Sequence, residues 1–372
     1  MKTANGHEII QLFEEFSPKH LAMEGDPVGL QVGSLNKPIH KVMIALDVLE
    51  NVVDEAIEAE ADLIIAHHPP VFRPLKKIAT DLPEGRIIEK LIKHDIAVYA
   101  AHTNLDVARG GVNDLLAEAL KLEETELLAP TYEEPLKKIA VYVPEEEAED
   151  VRTALGKAGA GALGDYSYCT FSYEGTGRFL PGKDADPYIG NPGMIEAVDE
   201  VKIEAVYPAR LEKKIVSAML KAHPYEEVAY DLYKLDISGV QYGLGRIGRL
   251  QIEMTLREFA DHVKSSLDVE AVRVVGDLNQ LVRRVAVLGG DGNKYFRQAK
   301  FKGADVFVTG DFYYHNAHDA LSIGLSVVDP GHNVEKVMKQ GVAAILEKAG
   351  ADKGYDTEYI VSAINTDPFT FI

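Results

Sequence analysis

Two adjacent histidines, His67 and His68, end an apolar run over residues 62–66 and are followed at once by Pro69 and Pro70. The run reads as a buried strand that stops in a turn, and an open α/β sheet forms its clefts at the carboxyl ends of strands. Imidazoles held there are natural metal ligands. Successive side chains of a regular strand point to opposite faces, so neighbouring histidines cannot chelate one ion unless the strand ends at His67. Otherwise each serves a different metal.

Three further residues complete the constellation. Asp106 follows the apolar run 96–101, and His332 and Glu335 follow the run 325–329. His67, His68, Asp106, His332 and Glu335 form a nitrogen and oxygen donor set suited to Zn, Fe or Mn in hydrolytic sites. Five ligands serve two ions if a carboxylate bridges them, with the ions on the order of 3.5–4 Å apart. Asp106 is the expected bridge, because its loop lets both oxygens face outward. His102, Thr103 and Asn104 are expected beside the ligands or the substrate. Asp26, in the glycine-punctuated segment 25–33, is expected to orient a ligand histidine. Asp311 or His315 is a candidate general base.

The elements that must position these groups alternate. After a helix over 6–16, strands at 41–47, 62–68 and 96–101 are separated by helices at 50–60 and 85–94. This order points to βαβ units and a parallel sheet covered on both faces. The carboxyl segment repeats the theme: Val285 matches Val42 and the run 304–311 matches 61–68, both at one constant offset. That alignment predicts an internal duplication in which Gly310 and Asp311 take the places of His67 and His68. Between the halves, the order strand, helix, strands, helix, strand reads as a ferredoxin-like insertion whose Gly- and Tyr-rich stretch, 159–193, suggests an interface or lid. The expected fold is therefore α/β, with duplicated α/β/α sandwich halves over 1–127 and 240–372 and an inserted ferredoxin-like α+β domain over 128–239.

A chain of 372 residues is long enough for two or three domains. Its net charge of −20, from 59 acidic against 39 basic residues, opposes binding to a polyanion, so nucleic acid is not an expected partner. Cys169 is the only cysteine, which excludes an intrachain disulfide and Cys-based zinc motifs. The amino terminus lacks the basic and apolar regions of a signal peptide, and no apolar run reaches the roughly 20 residues of a membrane span. A cytoplasmic protein is expected. Gly243-Leu244-Gly245-Arg246-Ile247-Gly248 matches the dinucleotide fingerprint, but a strand follows it where the fingerprint requires a helix. These glycines read as the return link from the insertion.

Taken together, Gly25-Asp26 with Gly29-Leu30-Gln31-Val32-Gly33, His67-His68-Pro69, and the run from Ala101 to Asp106 with Gly110-Gly111-Val112-Asn113 resemble the Nif-three-like family. Thr309-Gly310-Asp311 and Gly331-His332 complete the likeness. It spans both outer segments, and the chain is similar to the longer branch, whose inserted domain resembles the CutA and P-II type of ferredoxin-like fold. The resemblance implies two divalent metal ions per chain, Zn first with Fe or Mn as alternatives, held by His67, His68, Asp106, His332 and Glu335. It also implies a homohexameric toroid with metal sites facing an interior cavity, and it brings the label GTP cyclohydrolase type 2 homolog. The expected activity is metal-dependent hydrolysis of a small molecule, with His102 as acid or base. A non-catalytic metal-binding ring or regulatory scaffold is the rival. Other family members can place the glutamate four residues after the histidine, whereas His332 and Glu335 are three apart; both spacings share a helix face.

Overall fold

Along the strand Lys41–Ala45, Val42 and Ile44 face one side of the sheet while Met43 and Ala45 face the other, and all four are buried. A strand apolar on both faces must be covered on both. The computed structural model describes residues 2–372 and divides the chain into two compact units, Met1–Tyr132 with Tyr242–Ile372, and Glu133–Gln241. The larger unit answers the packing demand with two sheets. The first orders its strands Glu358–Val361, Lys41–Ala45, Leu63–Ala66, Ala97–Ala100 and Gly29–Val32, parallel except for the last. The second orders them Arg273–Val275, Ser326–Asp329, Val306–Gly310, Leu281–Asp291, Gln241–Thr255 and Glu123–Glu133.

Helices Gly6–Phe16, Val112–Ala119, Leu256–Leu267 and Val337–Asp352 form a layer shared by both sheets. Phe13, Leu116, Phe259 and Val342 belong to one apolar cluster with Ile44 and Ile65 of the first sheet and Val285 and Val308 of the second. The outer face of the first sheet is covered by Glu50–Glu58 and Pro83–Lys93, through Val52, Ile88 and Leu91. The outer face of the second is covered by Phe296–Phe301 and Tyr314–Ser322, through Ala299 and Ala320. Each half is thus an α/β/α sandwich, and the two share their inner helices.

The duplication is visible at the level of register. Val42 pairs with Leu63 as Val285 pairs with Val306, and Ile44 pairs with Ile65 as Val287 pairs with Val308. Each sheet also carries the same clamp between its first two parallel strands. Asp62 Oδ2 accepts from the backbone N–H groups of His40 and Lys41, and Asp305 Oδ2 accepts from those of Arg283 and Arg284. Both inner helices that open a half begin with a capping box, Asn5 with Glu8 and Thr255 with Glu258.

In the smaller unit, strands Tyr230–Lys234, Leu136–Pro144, Glu196–Pro208 and Phe171–Phe179 form an antiparallel sheet in that spatial order. Helices Ala148–Ala158 and Glu212–Ala222 bury Val151, Leu155, Ile215 and Met219 against Ile139, Val141 and Ile203. The chain order β-α-β-β-α-β with this pairing is ferredoxin-like. The unit begins at Glu133 and ends at Gln241, later than the expected 128 and 239, because the strand Glu123–Glu133 extends the second sheet of the larger unit.

One expectation fails in detail. The glycines from Gly243 to Gly248 lie within the strand Gln241–Thr255 and do not form a link. A Cβ on Gly243 would stand 2.2 Å from Ala129 O, and one on Gly245, at φ +66°, would stand 2.9 Å from Val287 O. Glycine here allows close backbone approach inside a sheet. No helix among the described residues is long and apolar enough to cross a membrane.

Candidate metal centre

The strand Leu63–Ala66 stops one residue before His67, and Ala97–Ala100 stops shortly before His102. In the second half, Val306–Gly310 leads into Asp311, and Ser326–Asp329 leads through Gly331 into a short 3₁₀ turn, His332–Lys336. All these groups sit at carboxyl ends of parallel strands, where side chains can converge without joining the ladder. With three residues per 3₁₀ turn, His332 and Glu335 are stacked on one face, so their spacing of three matches the local helix.

The five expected ligand residues come together around one carboxylate. Glu335 Oε2 lies 3.5 Å from His67 Nε2, 3.0 Å from His68 Nε2 and 3.2 Å from His332 Nε2, and Asp106 Oδ1 lies 3.6 Å from His67 Nε2. They form two triads, His67 with Asp106 and Glu335, and His68 with His332 and Glu335, each with one donor atom per residue within 4.8 Å of the others. Glu335 is common to both. Asp106, the expected bridge, belongs to one triad only, because the helix Thr103–Val107 buries its carboxylate on the His67 side. His67, His68 and His102 make a third group of similar compactness, so His102 could serve as a ligand as well as an acid or base.

Every histidine is held from behind by its other nitrogen. His67 Nδ1 donates to Ala101 O at 2.9 Å, His68 Nδ1 to Asp47 Oδ1 at 2.7 Å, His332 Nδ1 to Asp311 Oδ2 at 2.8 Å and His102 Nδ1 to Asp26 Oδ1 at 2.8 Å. A carbonyl can only accept, so His67 carries a hydrogen on Nδ1 and its Nε2, the atom turned inward, is the one that offers a lone pair when the ring is neutral. Asn113 ties the halves together: its Nδ2 donates to Asp106 O, and its Oδ1 accepts from Gly289 N. Gly289 and Gly290 leave room for the glutamate, since a Cβ on Gly290 would stand 2.8 Å from Glu335 Oε1.

The electrostatics fit a cation. Burial opposes ionisation of Glu335, yet His67, His332 and His68 hold its carboxyl well below the usual range. Burial pushes Asp106 up to about 6 against the pull of His67. Burial also works against charge on His68, but Asp47 and Glu335 outweigh it and raise the ring to about 10. Two buried polar atoms, His67 Nε2 and Asp106 Oδ1, have no hydrogen-bond partner. Leaving such atoms unpaired costs about 1–3 kcal/mol each, and a divalent ion between them would satisfy both. The donor set and these orphaned atoms therefore fit metal.

Of the other expected residues, Asp26 does orient a histidine, His102, and also accepts from Thr103 N. Asn104 is buried and bonds Ser17. Asp311 is occupied in holding His332, which is an orienting role in place of the expected base. His315 is exposed on the helix Tyr314–Ser322 and stays away from the ligand cluster, packing on Tyr314. Asp47 and Thr366, whose hydroxyl bonds Asp47, escaped sequence reasoning. Asp47 ends the apolar run 41–46, as His68 ends the next, and that position at a strand's carboxyl end was its only signal.

The DUF34/NIF3 (NGG1p interacting factor 3) family matches residues 4–368. A Bacillus subtilis protein named GTP cyclohydrolase 1 type 2 homolog is 62% identical over 371 residues, covering 100% of both chains. The crystal structure of a Bacillus cereus protein related to NIF3 superposes with a TM-score of 0.96 at 62% identity, again over 100% of both chains. Staphylococcus aureus protein SA1388 does so at 0.81 with 34% identity over 100% of both. This chain belongs to the DUF34/NIF3 family.

Proposed function

We propose that this protein binds two divalent metal ions per chain, Zn first with Fe or Mn as alternatives, and uses them to hydrolyse a small molecule. The observation that carries the reading is the pair of triads sharing Glu335, each containing one of the adjacent histidines. His67, Asp106 and Glu335 would hold one ion, and His68, His332 and Glu335 the other. Ions so placed would supply Lewis acidity and activation of water near neutral pH.

The chain's own residues supply the rest. Ala101 O, Asp47 and Asp311 fix ring orientation, so no rotamer freedom is lost when the donors are engaged. His102, tied to Asp26, lies against both His67 and His68 with ring centroids 5.4 and 5.8 Å away. It is placed to carry a proton to or from a substrate in the adjoining cavity of about 820 Å³, whose wall it forms. A homohexamer is part of this reading and rests on the family resemblance.

A second reading is favoured by one observation. The inserted unit has its own cavity of about 690 Å³ with Tyr142, Tyr173, Tyr188 and Tyr225 in its lining. A metal-binding scaffold that senses a ligand through the insertion would use such a cavity without catalysis. Assaying the Zn-loaded protein against cyclic amides, nucleosides and phosphoesters separates the two readings. Turnover that His68→Ala and His102→Gln abolish supports the hydrolase, and ligand binding without turnover by any member supports the scaffold.

A further inference from the structure

The cavity beside the candidate metal centre has a charge character that bears on substrate class. Asp47, Asp106, Asp291, Asp311, Glu335 and Asp367 all line it, and no Lys or Arg does so among the described residues. Two divalent ions would bring four positive charges against six carboxylates, so the loaded cavity stays net negative. Lys336 and Lys339 line a neighbouring depression that shares Leu46, Asn333 and Thr366 with the cavity, but their ammonium groups donate to Asp268 O at 2.7 Å and Ser362 O at 2.8 Å. Recognition of a polyphosphate beyond its contact with metal uses Lys, Arg or a run of free N–H groups facing the anion, and this lining has no Lys or Arg among the described residues.

The rim has its own chemistry. Phe72 and Phe369 line the cavity while 60% and 68% exposed, and Leu49 is 44% exposed beside them. Phe72 stands edge-on to His102, with ring centroids 6.2 Å apart, so the apolar rim reaches the candidate proton carrier. Exposed aromatic side chains at the mouth of a polar cavity mark a place where an apolar body is covered on binding.

Resting on the hydrolase reading above, we infer that the substrate is an uncharged or cationic small molecule with an aromatic or apolar body, and that nucleoside triphosphates are disfavoured at this site. The carboxylate-lined interior attracts amines and tolerates neutral amides, the rim covers the apolar portion, and a triphosphate would have only the metal ions to hold it, against the surrounding carboxylates and with no side-chain cation.

Calorimetric titration of the Zn-loaded protein at low ionic strength tests this. The probes are a benzyl-substituted cyclic amide, its aminomethyl and phosphonomethyl counterparts, guanosine and GTP. The uncharged and cationic members should bind at least about tenfold more tightly than their anionic counterparts, with the gap narrowing as salt is added. Asp367→Lys, which touches no candidate ligand, should strengthen GTP binding several-fold with the metal content unchanged. GTP binding as tight as guanosine, GTP affinity that depends on Lys336 or Lys339, or a panel in which no uncharged or cationic member binds overturns the inference. The hydrolase reading is scored separately, by turnover: the predicted affinity order with no product from any probe sinks that reading and leaves the charge selectivity standing.

Discussion

Loading the candidate site with metal should expel protons, and the number follows from the side chains that face Glu335. At His68, burial disfavours the charged ring, but Asp47 and Glu335 dominate and raise it to about 10. At His332 the hydrogen bond to Glu335 leads, burial opposes it, and the ring rises to about 9. His67 is raised as well, because Asp106 and Glu335 outweigh its complete burial. In the metal-free chain the His68 and His332 rings therefore hold a second proton at about pH 7.5, and each must surrender one to offer a lone pair. Saturation with Zn should release about two protons per chain from His68 and His332. Titration calorimetry in buffers of different ionisation enthalpy counts them directly. The sign for stability follows from the same groups. A raised histidine stabilises fully below its ordinary value of 6.5, and the contribution is lost as pH climbs through about 9 and 10. Thermal unfolding of the metal-free protein should therefore weaken across that window, while the loaded protein changes little. Buffer-independent binding enthalpies together with a flat metal-free stability profile would refute the reasoning.

The remaining expectations concern single residues and assembly. Asp47→Asn and Asp311→Asn should each weaken metal binding by about 10–100-fold through loss of histidine orientation, which equilibrium dialysis measures; unchanged affinity means the carboxylates do not set the rings. Gly290→Ala, at φ +60° and 2.8 Å from Glu335 Oε1, should lower metal occupancy while circular dichroism stays native. Asp62→Ala and Asp305→Ala each remove two backbone hydrogen bonds to a carboxylate, so urea unfolding should show a loss of about 2 kcal/mol for each. A large effect at one clamp and none at the other would contradict their equivalence. Light scattering should report a particle six times the 40.8 kDa chain mass, and a monomer or dimer would remove the hexamer from the account.

The sandwich halves were legible because parallel strands buried on both faces leave continuous apolar runs, as at residues 41–47 and 62–68, and because a constant offset survives in the strands that pair. The clustering of the five candidate ligand residues was legible for a related reason: His67, His68 and Asp106 follow such runs directly, and His332 and Glu335 follow the matching one. The shared inner helix layer was not, since an amphipathic helix shows that it has an apolar face but not which sheets it meets. The position of Glu335 in both triads was also out of reach. Which carboxylate lies between the histidines depends on how the 3₁₀ turn at His332 is aimed across from His67, a contact spanning the two halves. The glycines from 243 to 248 misled because a strand that needs close backbone approach and a loop that needs flexibility both call for glycine.

The central claim is two ions per chain sharing Glu335, and metal quantification by mass spectrometry on Zn-loaded, desalted protein and its variants tests it most directly. The account predicts two Zn per chain in the native protein, one in Asp106→Asn and little in Glu335→Gln, with all three folded by circular dichroism. Two ions retained by Glu335→Gln, or fewer than one bound by the native chain, would contradict it.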